Sequence, residues 1–569
     1  MPHRYCKHAG RNRTGRGSRV PTLVALLAAL LLSVSPVETW AAEPYSKYLE
    51  AAYQADGPGA TAIVVRDGEV VYRDARGMAH LELGVPLSPD HVFRLGSITK
   101  QFTAAAIMLL AEQGKLSTDD EITKFLPEHP IHGHEITVEH LLTHTSGIFS
   151  YTSIPGYMLG SEIRADLSTE ELIEVFSDLE MDFKPGEDWS YSNSGYVLLG
   201  AIIERVSGKP YPEFAQEHLF GPLEMHNSHY GGPQLISGRV QGYAGTAGNY
   251  VNAPFISMTQ PHAAGSLLSN VDDLARWNAA LHGGELLSSE SVDRMTGKHT
   301  ETGSGGAYYG YGLGVSTFLD EPIVLHGGGI HGFATFSLWL PETKVFVAVL
   351  SNSAQNPVRP GYVAYALAAE AIGRPFPSRS VITLQPGTLS DYVGLYRGDD
   401  DRSYRMTTEE AHLFFQGPDG PRREALPYAP DSFFFESSHA HLSFHRDAEG
   451  PVTSLRIHRP VLGETVATER TSESADDRET AVVSPELYDL WSGTYEIGPG
   501  FEMDVRREGD ELVCQATGQP SFQLHPESAY RYFVKEFPAE IEFVPGDDGH
   551  AKALVLYQGG QETRAERMD

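Results

Sequence analysis

Cysteine is almost missing from this chain: of 569 residues only Cys6 and Cys514 are cysteines. With so few, zinc–thiolate sites, cysteine nucleophiles working in pairs and a disulfide-stapled scaffold are excluded, and stability must come from ordinary cores. Basic residues are also scarce, 43 Lys and Arg against 75 Asp and Glu, for a formal net charge of −32. A surface this acidic repels nucleic acid and anionic membranes, so neither is expected as a partner. Long apolar runs are lacking too. The longest near the N-terminus, Leu23 to Leu32, is too short for a secure bilayer span.

Certain catalytic signatures are absent as well. No G-x-S-x-G occurs, so the nucleophile elbow of α/β-hydrolases is missing. Five histidines, His129, His132, His134, His140 and His144, crowd one region with Glu135 and Glu139, and His140 and His144 have the i, i+4 spacing of a helical ligand pair. No H-E-x-x-H accompanies them, and no metal or cofactor is called for.

What is present begins with Arg4, Lys7, Arg11, Arg13, Arg16 and Arg19, followed by the apolar run and the small pair Ala41-Ala42. That is the layout of a signal peptide over residues 1–42, which predicts an exported, periplasmic or secreted protein with no stable membrane span after its removal. The formal net charge then moves from −32 to about −37.

Beyond the leader, Thr61–Val65 and Glu69–Tyr72 are β-rich runs joined by Asp67-Gly68, a hairpin signal. Ser97 to Gln113 is helical in composition with Gly114 as its stop. Tyr196–Val206, ended by Ser207-Gly208, and Val271–Leu281 read as further helices. Strands return at Phe336–Leu340 and Val345–Leu350 around a Pro341-Glu342-Thr343 turn. Residues 43–376 therefore form one domain, a mixed sheet whose two sequence ends meet with a helical region inserted between them.

After residue 385 the character changes. Tyr392-Val393-Gly394-Leu395-Tyr396 recurs as Trp491-Ser492-Gly493-Thr494-Tyr495, and Phe444 and Gly450 recur as Phe543 and Gly549 at the same offset. This tandem duplication predicts two small all-β barrels or sandwiches without clear helices, at 386–470 and 486–569, joined by a polar linker at 471–485.

Three constellations carry chemistry. Ser97 and Lys100 stand three apart at the start of a helix, so their side chains share a face. A serine hydroxyl needs a neighbouring base, and a lysine in a dry pocket can lose its proton and serve. The chain has only eleven lysines, and Lys100 alone has serine three places before it. Tyr191-Ser192-Asn193 follows a Pro-Gly loop; a tyrosine beside an ammonium can have its pKa lowered and shuttle protons, and an asparagine amide can hold a substrate carbonyl or the lysine. His326-Gly327-Gly328-Gly329 follows a strand, and its glycines would let a substrate lie close to the edge with backbone N–H groups facing an oxyanion. Gly327, Gly329 and Gly332 also fit G-x-G-x-x-G, but a dinucleotide fingerprint needs a helix next, and Phe333–Leu340 reads as a strand.

Taken in order over roughly residues 48–375, Arg94 to Thr103 (RLGSITKQFT), Leu141 to Gly147 (LLTHTSG), Tyr191-Ser192-Asn193 and His326-Gly327-Gly328 resemble the serine β-lactamases and penicillin-binding proteins, in the branch closest to class C enzymes. The resemblance implies an α+β catalytic domain, an antiparallel sheet plus a helical region, ahead of the two barrel-like repeats. It implies that Ser97 forms an acyl-enzyme, Lys100 accepts its proton, and Tyr191 acts as base for the leaving group and then for water. Asn193 would orient the substrate amide, and the N–H groups of Ser97 and Gly329 would form an oxyanion hole, with His326, Gly327 and Gly328 on the edge strand.

One feature departs from the pattern. Many β-lactamases carry Lys-Thr-Gly where this chain has His326-Gly327-Gly328, and histidine is a weaker, pH-dependent carboxylate anchor. The departure favours esterase, D-aminopeptidase or peptidase relatives, with an ester, D-amino-acid amide or peptidoglycan-like peptide as substrate. The barrels add to this, since they look like the paired barrels of D-aminopeptidases. A slowly acylating penicillin-recognising sensor and a weak β-lactamase are the alternatives. Oligomeric state is left open.

Overall fold

The computed structural model describes residues 43–568 apart from 304–305, 386, 400–401, 419, 449, 473–479, 499–500, 547–548 and 559–560. The leader over 1–42 and residues 473–479 of the polar linker lie outside the described residues. No helix among those described is long and apolar enough to cross a membrane.

Helix α1 (Glu43–Ala52) leads into the hairpin β1 (Ala60–Arg66) and β2 (Glu69–Arg76), turned at Asp67-Gly68 as the sequence predicts. The helical region carries α2 (Thr99–Glu112), α3 (Asn193–Ser207) and α4 (Val271–Gly283). Four strands close the domain: β3 (Gly314–Phe318), β4 (Glu321–Ile330), β5 (Phe333–Leu340) and β6 (Val345–Ser351), before α5 (Pro360–Ala371). Two short strands, Thr300–Glu301 and Tyr308–Tyr309, extend the edge beside β3, and the order then runs β3-β4-β5-β6-β1-β2. Every ladder is antiparallel, so the sheet is not mixed.

The first and last strands of the sheet pair with each other, Ala60 opposite Ser351, and the Gly59 N–H donates to Asn352 Oδ1 at 2.8 Å across 293 residues of sequence. Strand β6 is buried along its whole length, and alternate residues feed two cores. Val345, Val347 and Val349 pack with Leu49, Val363 and Leu367 beneath α1 and α5; Phe346, Ala348 and Leu350 join the larger core under the helical region. Within that core α2 is buried from Thr99 to Met108, and Phe102 stacks on Trp277 of α4 at 4.0 Å between ring centroids. A helix apolar nearly all round must sit inside.

The two C-terminal β regions differ. Nine strands between Gly394 and Arg470 form one antiparallel sheet that wraps until its edge strands, Arg423–Glu424 and Leu426–Ala429, are separated by Ala425 alone. The eight strands from Gly493 to Arg567 close into a barrel. Short helical turns, Thr388–Tyr392 and Pro485–Trp491, open the two copies, which the sequence reading did not foresee.

The repeat is visible in bonding as well as in sequence. Tyr396 Oη donates to the Tyr392 carbonyl at 2.8 Å, and Tyr495 Oη to the Trp491 carbonyl at 2.6 Å. Phe444 N–H donates to Asp431 O, and Phe543 N–H to Tyr530 O. Arg470 reaches the carbonyls of Asp391 and Val452; Arg567 reaches those of Leu490 and Ala551.

Both β regions touch the N-terminal domain. His439 is sandwiched between Tyr362 of α5 and Phe376, with ring centroids 4.0 and 4.1 Å away. Gly498 of the barrel lies against Pro155, since a Cβ placed there would meet the Pro155 carbonyl at 2.7 Å.

Candidate active site

Ser97 sits in a 3-10 turn, Gly96–Ile98, that feeds α2, rather than in the α-helix itself. Lys100 follows one turn later, in the first turn of α2, on the same face as Ser97. Lys100 Nζ lies 3.4 Å from Ser97 Oγ, 2.7 Å from Asn193 Oδ1 and 3.0 Å from the Ala264 carbonyl. It is fully buried and, among the described residues, has no acid partner, so burial holds its pKa well below the usual lysine range. A neutral amine has two N–H groups and one lone pair. Two of its neighbours, Asn193 Oδ1 and the Ala264 carbonyl, can only accept, so they take both N–H groups and the lone pair is left for the Ser97 hydroxyl.

Asn193 is the first residue of α3, with Ser192 as its cap accepting the Gly195 N–H at 3.3 Å. The helix thus begins three residues before the predicted Tyr196. Asn193 Nδ2 donates to Thr152 Oγ1 at 2.9 Å, which fixes the amide with its oxygen on Lys100. The asparagine therefore holds the lysine.

Tyr191 brings its ring within 4.7 Å of Lys100 Nζ. Its hydroxyl is buried without a hydrogen-bond partner among the described residues; burial pushes its pKa up, and Ser97, which acts to lower it, is outweighed. The expectation of a lowered tyrosine pKa is corrected here: the dry setting that neutralises the lysine also keeps the phenol protonated.

His326 is likewise corrected. Its Nδ1 is 2.6 Å from the Gly327 carbonyl, which can only accept, so Nδ1 carries the proton and Nε2 accepts the Tyr309 hydroxyl at 2.9 Å. Burial lowers its pKa to about 4. Both ring nitrogens are engaged and the ring is not part of the cavity wall, so His326 is no carboxylate anchor at neutral pH; it stands behind the site.

The glycines do line the cavity. A Cβ on Gly328 would meet the Leu95 carbonyl at 2.0 Å and Thr335 Oγ1 at 2.3 Å, so no larger residue fits. One on Gly96, where φ is +55°, would meet Gly329 N at 2.9 Å, which places the Gly329 backbone beside the serine turn. A Cβ on Gly329 would meet only the open cavity. That cavity, about 670 Å3, is walled by Ser97, Thr152, Asn193, Gly327 to Gly329 and apolar side chains such as Met158, Ile256 and Phe333. It has Arg359 and His331 in its wall and, among the described residues, no acid.

Sequence reasoning missed several supports. His144, grouped with the histidines of a metal alternative, lies past the end of the Val138–Leu142 helix with φ +61°, so it does not share a helical face with His140, whose Nδ1 accepts the Thr137 N–H. Its Nδ1 accepts the Ser192 N–H at 3.1 Å, and its ring packs on Tyr191 and Tyr309 at 4.3 and 4.7 Å. Its place inside LLTHTSG was the available signal. Thr152 and the Ala264 carbonyl had none.

A serine beside a buried lysine under an antiparallel sheet edge, with a tyrosine and an asparagine from a second segment, defines the penicillin-recognising class of serine-hydrolase folds. The chain belongs to the Beta-lactamase family, whose match covers residues 46–371; residues 477–567 match a domain of unknown function, DUF3471. It is similar to a penicillin-binding protein of Bacillus subtilis, 26% identical over 526 residues, covering 89% of this chain and 94% of the relative. It is also similar to Esterase EstB of Burkholderia gladioli, 29% identical over 326 residues, covering 49% of this chain and 82% of the esterase. Among solved structures, the octameric penicillin-binding protein homologue from Pyrococcus abyssi aligns with a TM-score of 0.55 at 28% identity, over 75% of this chain and 97% of its own.

Proposed function

We propose that the protein is an exported acyl-transfer hydrolase that works through an acyl-enzyme on Ser97, with esters as its favoured substrates over D-amino-acid amides. The observation that carries this reading is Lys100, whose two N–H groups are committed to Asn193 and Ala264 and whose lone pair faces the Ser97 hydroxyl. Ser97 Oγ attacks the carbonyl carbon as its proton passes to Lys100 Nζ. The backbone N–H groups of Ser97 and Gly329 receive the developing oxyanion. Tyr191, protonated at rest, gives its hydroxyl proton to the leaving group and is refilled from Lys100; water reverses the sequence to release the acid. The preference against amides bearing a free α-ammonium rests on the cavity wall, which has no carboxylate to receive one.

The test is a panel of p-nitrophenyl acetate, D-alanine p-nitroanilide and a chromogenic cephalosporin, with fluorophosphonate labelling. Turnover of the ester, lost in Ser97→Ala together with labelling, is expected. Undiminished turnover by Ser97→Ala would sink the mechanism, and stoichiometric labelling without turnover would favour the slowly acylating sensor. Cell fractionation, with N-terminal sequencing of the mature chain, tests export.

A further inference from the structure

Arg94 ends the short strand Phe93–Arg94, three residues before Ser97, and its guanidinium stands 5.7 Å from the centroid of Phe333, a wall residue of the cavity. Arg239 flanks it: Val92 pairs with Arg239 in a backbone bridge, and the Val92 N–H donates to Gly238 O while the Val240 N–H donates to Val92 O. His331, in the cavity wall on the turn beside Phe333, feels the Arg94 charge. Burial first, and the like charge of Arg239 second, pull Arg94 down to about 10.

In a chain with 75 acids this grouping is unusual. Among the described residues neither Arg94 nor Arg239 has a salt bridge or a side-chain hydrogen bond, whereas Arg73 holds both Asp90 and Asp272. A half-buried guanidinium without an acceptor is costly to keep, and like charges side by side add to that. Such a pair is stable against an anion.

We infer that Arg94 and Arg239 form an anion subsite at the rim of the Ser97 cavity that receives a carboxylate carried by the substrate, so that the acyl donor is a carboxylate-bearing ester. Three residues of chain span at most about 10 Å, which keeps the Arg94 and Ser97 backbones that close. The subsite rests on the proposed role of Ser97 for its place in catalysis, and not for binding.

The experiment therefore has two readouts. The first is the kcat/KM of mono-p-nitrophenyl suberate against the chain-matched, uncharged octanoate ester. The native protein is expected to prefer the suberate, and Arg239→Gln, at an exposed position, to lower that preference about tenfold, as loss of a charged hydrogen bond would. Raised salt should narrow it as well. The second readout is calorimetric titration of the Ser97→Ala protein with monomethyl suberate, methyl octanoate and inorganic phosphate, before and after Arg239→Gln. Tighter binding of the half-ester than of the other two, lost in the double variant, supports the subsite whether or not Ser97 proves to be the nucleophile. Equal binding of half-ester and neutral ester, phosphate binding as tight as the half-ester, or a loss shared by both p-nitrophenyl esters overturns it. Failure of turnover alone counts against the Ser97 mechanism instead.

Discussion

Lys100 Nζ lies 2.7 Å from Asn193 Oδ1, and that asparagine is fixed from its other end by Thr152. The amine is thereby turned so that one direction is left, toward Ser97. The geometry asks for an uncharged lysine, and burial pulls its pKa in that direction.

Replacing Lys100 with arginine separates charge from basicity. Arginine stays protonated at any working pH, so Lys100→Arg should lose activity by about 10²–10⁴, the range for a general base. The check is steady-state turnover of an ester from mildly acid to alkaline pH. Recovery of turnover by the arginine variant at high pH would remove the lysine from the role of base.

The pH profile should have one rising limb. Activity requires neutral Lys100, so kcat/KM climbs as pH rises through its lowered pKa and then holds level, because the raised Tyr191 pKa postpones loss of the phenol proton past the usual tyrosine range. The same shift reads out in stability. The unfolded lysine binds a proton that the folded one refuses, so the native protein gains stability on Lys100→Met as pH rises toward about 10.4, by at most about 1.4 kcal/mol per pH unit. Denaturant midpoints of both proteins across pH would reveal a flat difference if Lys100 were charged when folded.

Two neighbouring glycines should answer alanine differently. At Gly328 the new methyl collides with the Leu95 carbonyl and Thr335 Oγ1, displaces β4 from the serine turn, and should lower kcat/KM by about 10². At Gly329 it enters only the cavity, so Gly329→Ala should keep its fold and change KM for bulky esters more than for acetate. Circular dichroism melts beside kinetics on two ester sizes distinguish the cases.

Acid should loosen the protein through its buried histidines. Burial lowers His326 and His439 to about 4, below the usual value near 6.5, so each contribution is full above about 6.5 and is lost as pH falls from there toward 4. His439→Phe keeps the stack on Tyr362 and Phe376 and has no proton to take up. Its stability should fall less steeply over that window, by up to about 1.4 kcal/mol per pH unit. Equal slopes in urea titrations would contradict the assignment.

The duplicated tyrosines offer a matched pair. Tyr396→Phe and Tyr495→Phe each delete one buried bond to the carbonyl four residues earlier, and each should cost about 1 kcal/mol. Their effects should add, since they act in separate cores.

Much of the site could be read along the chain, and the limits have a physical pattern. Ser97 and Lys100 announce themselves because a helical turn makes three-residue spacing a contact. The bond from Lys100 to the Ala264 carbonyl joins residues 164 apart through a backbone atom that every residue owns, so no side-chain pattern marks it. His326 was read as facing substrate because its strand does; its partner Tyr309, from the short edge strand before β3, turns the ring inward. The tyrosine pKa went the wrong way because charge was weighed without dryness. In the repeats the aromatic anchors kept one offset, whereas Arg470 and Arg567 stand two residues nearer in sequence and were hidden although their acceptors correspond.

The central sheet has a consequence for how the chain comes into being. Gly59 waits for Asn352, and β1 for β6, across 293 residues. At synthesis rates of about 5–20 residues per second, that interval is about 15–60 s, far longer than helix formation or local collapse requires. Throughout it the valine-rich β1 has only β2 as a neighbour and presents an open edge to other chains. The newborn protein is thus most prone to aggregate before its last strand arrives, and a holding chaperone would be needed for that period rather than after release.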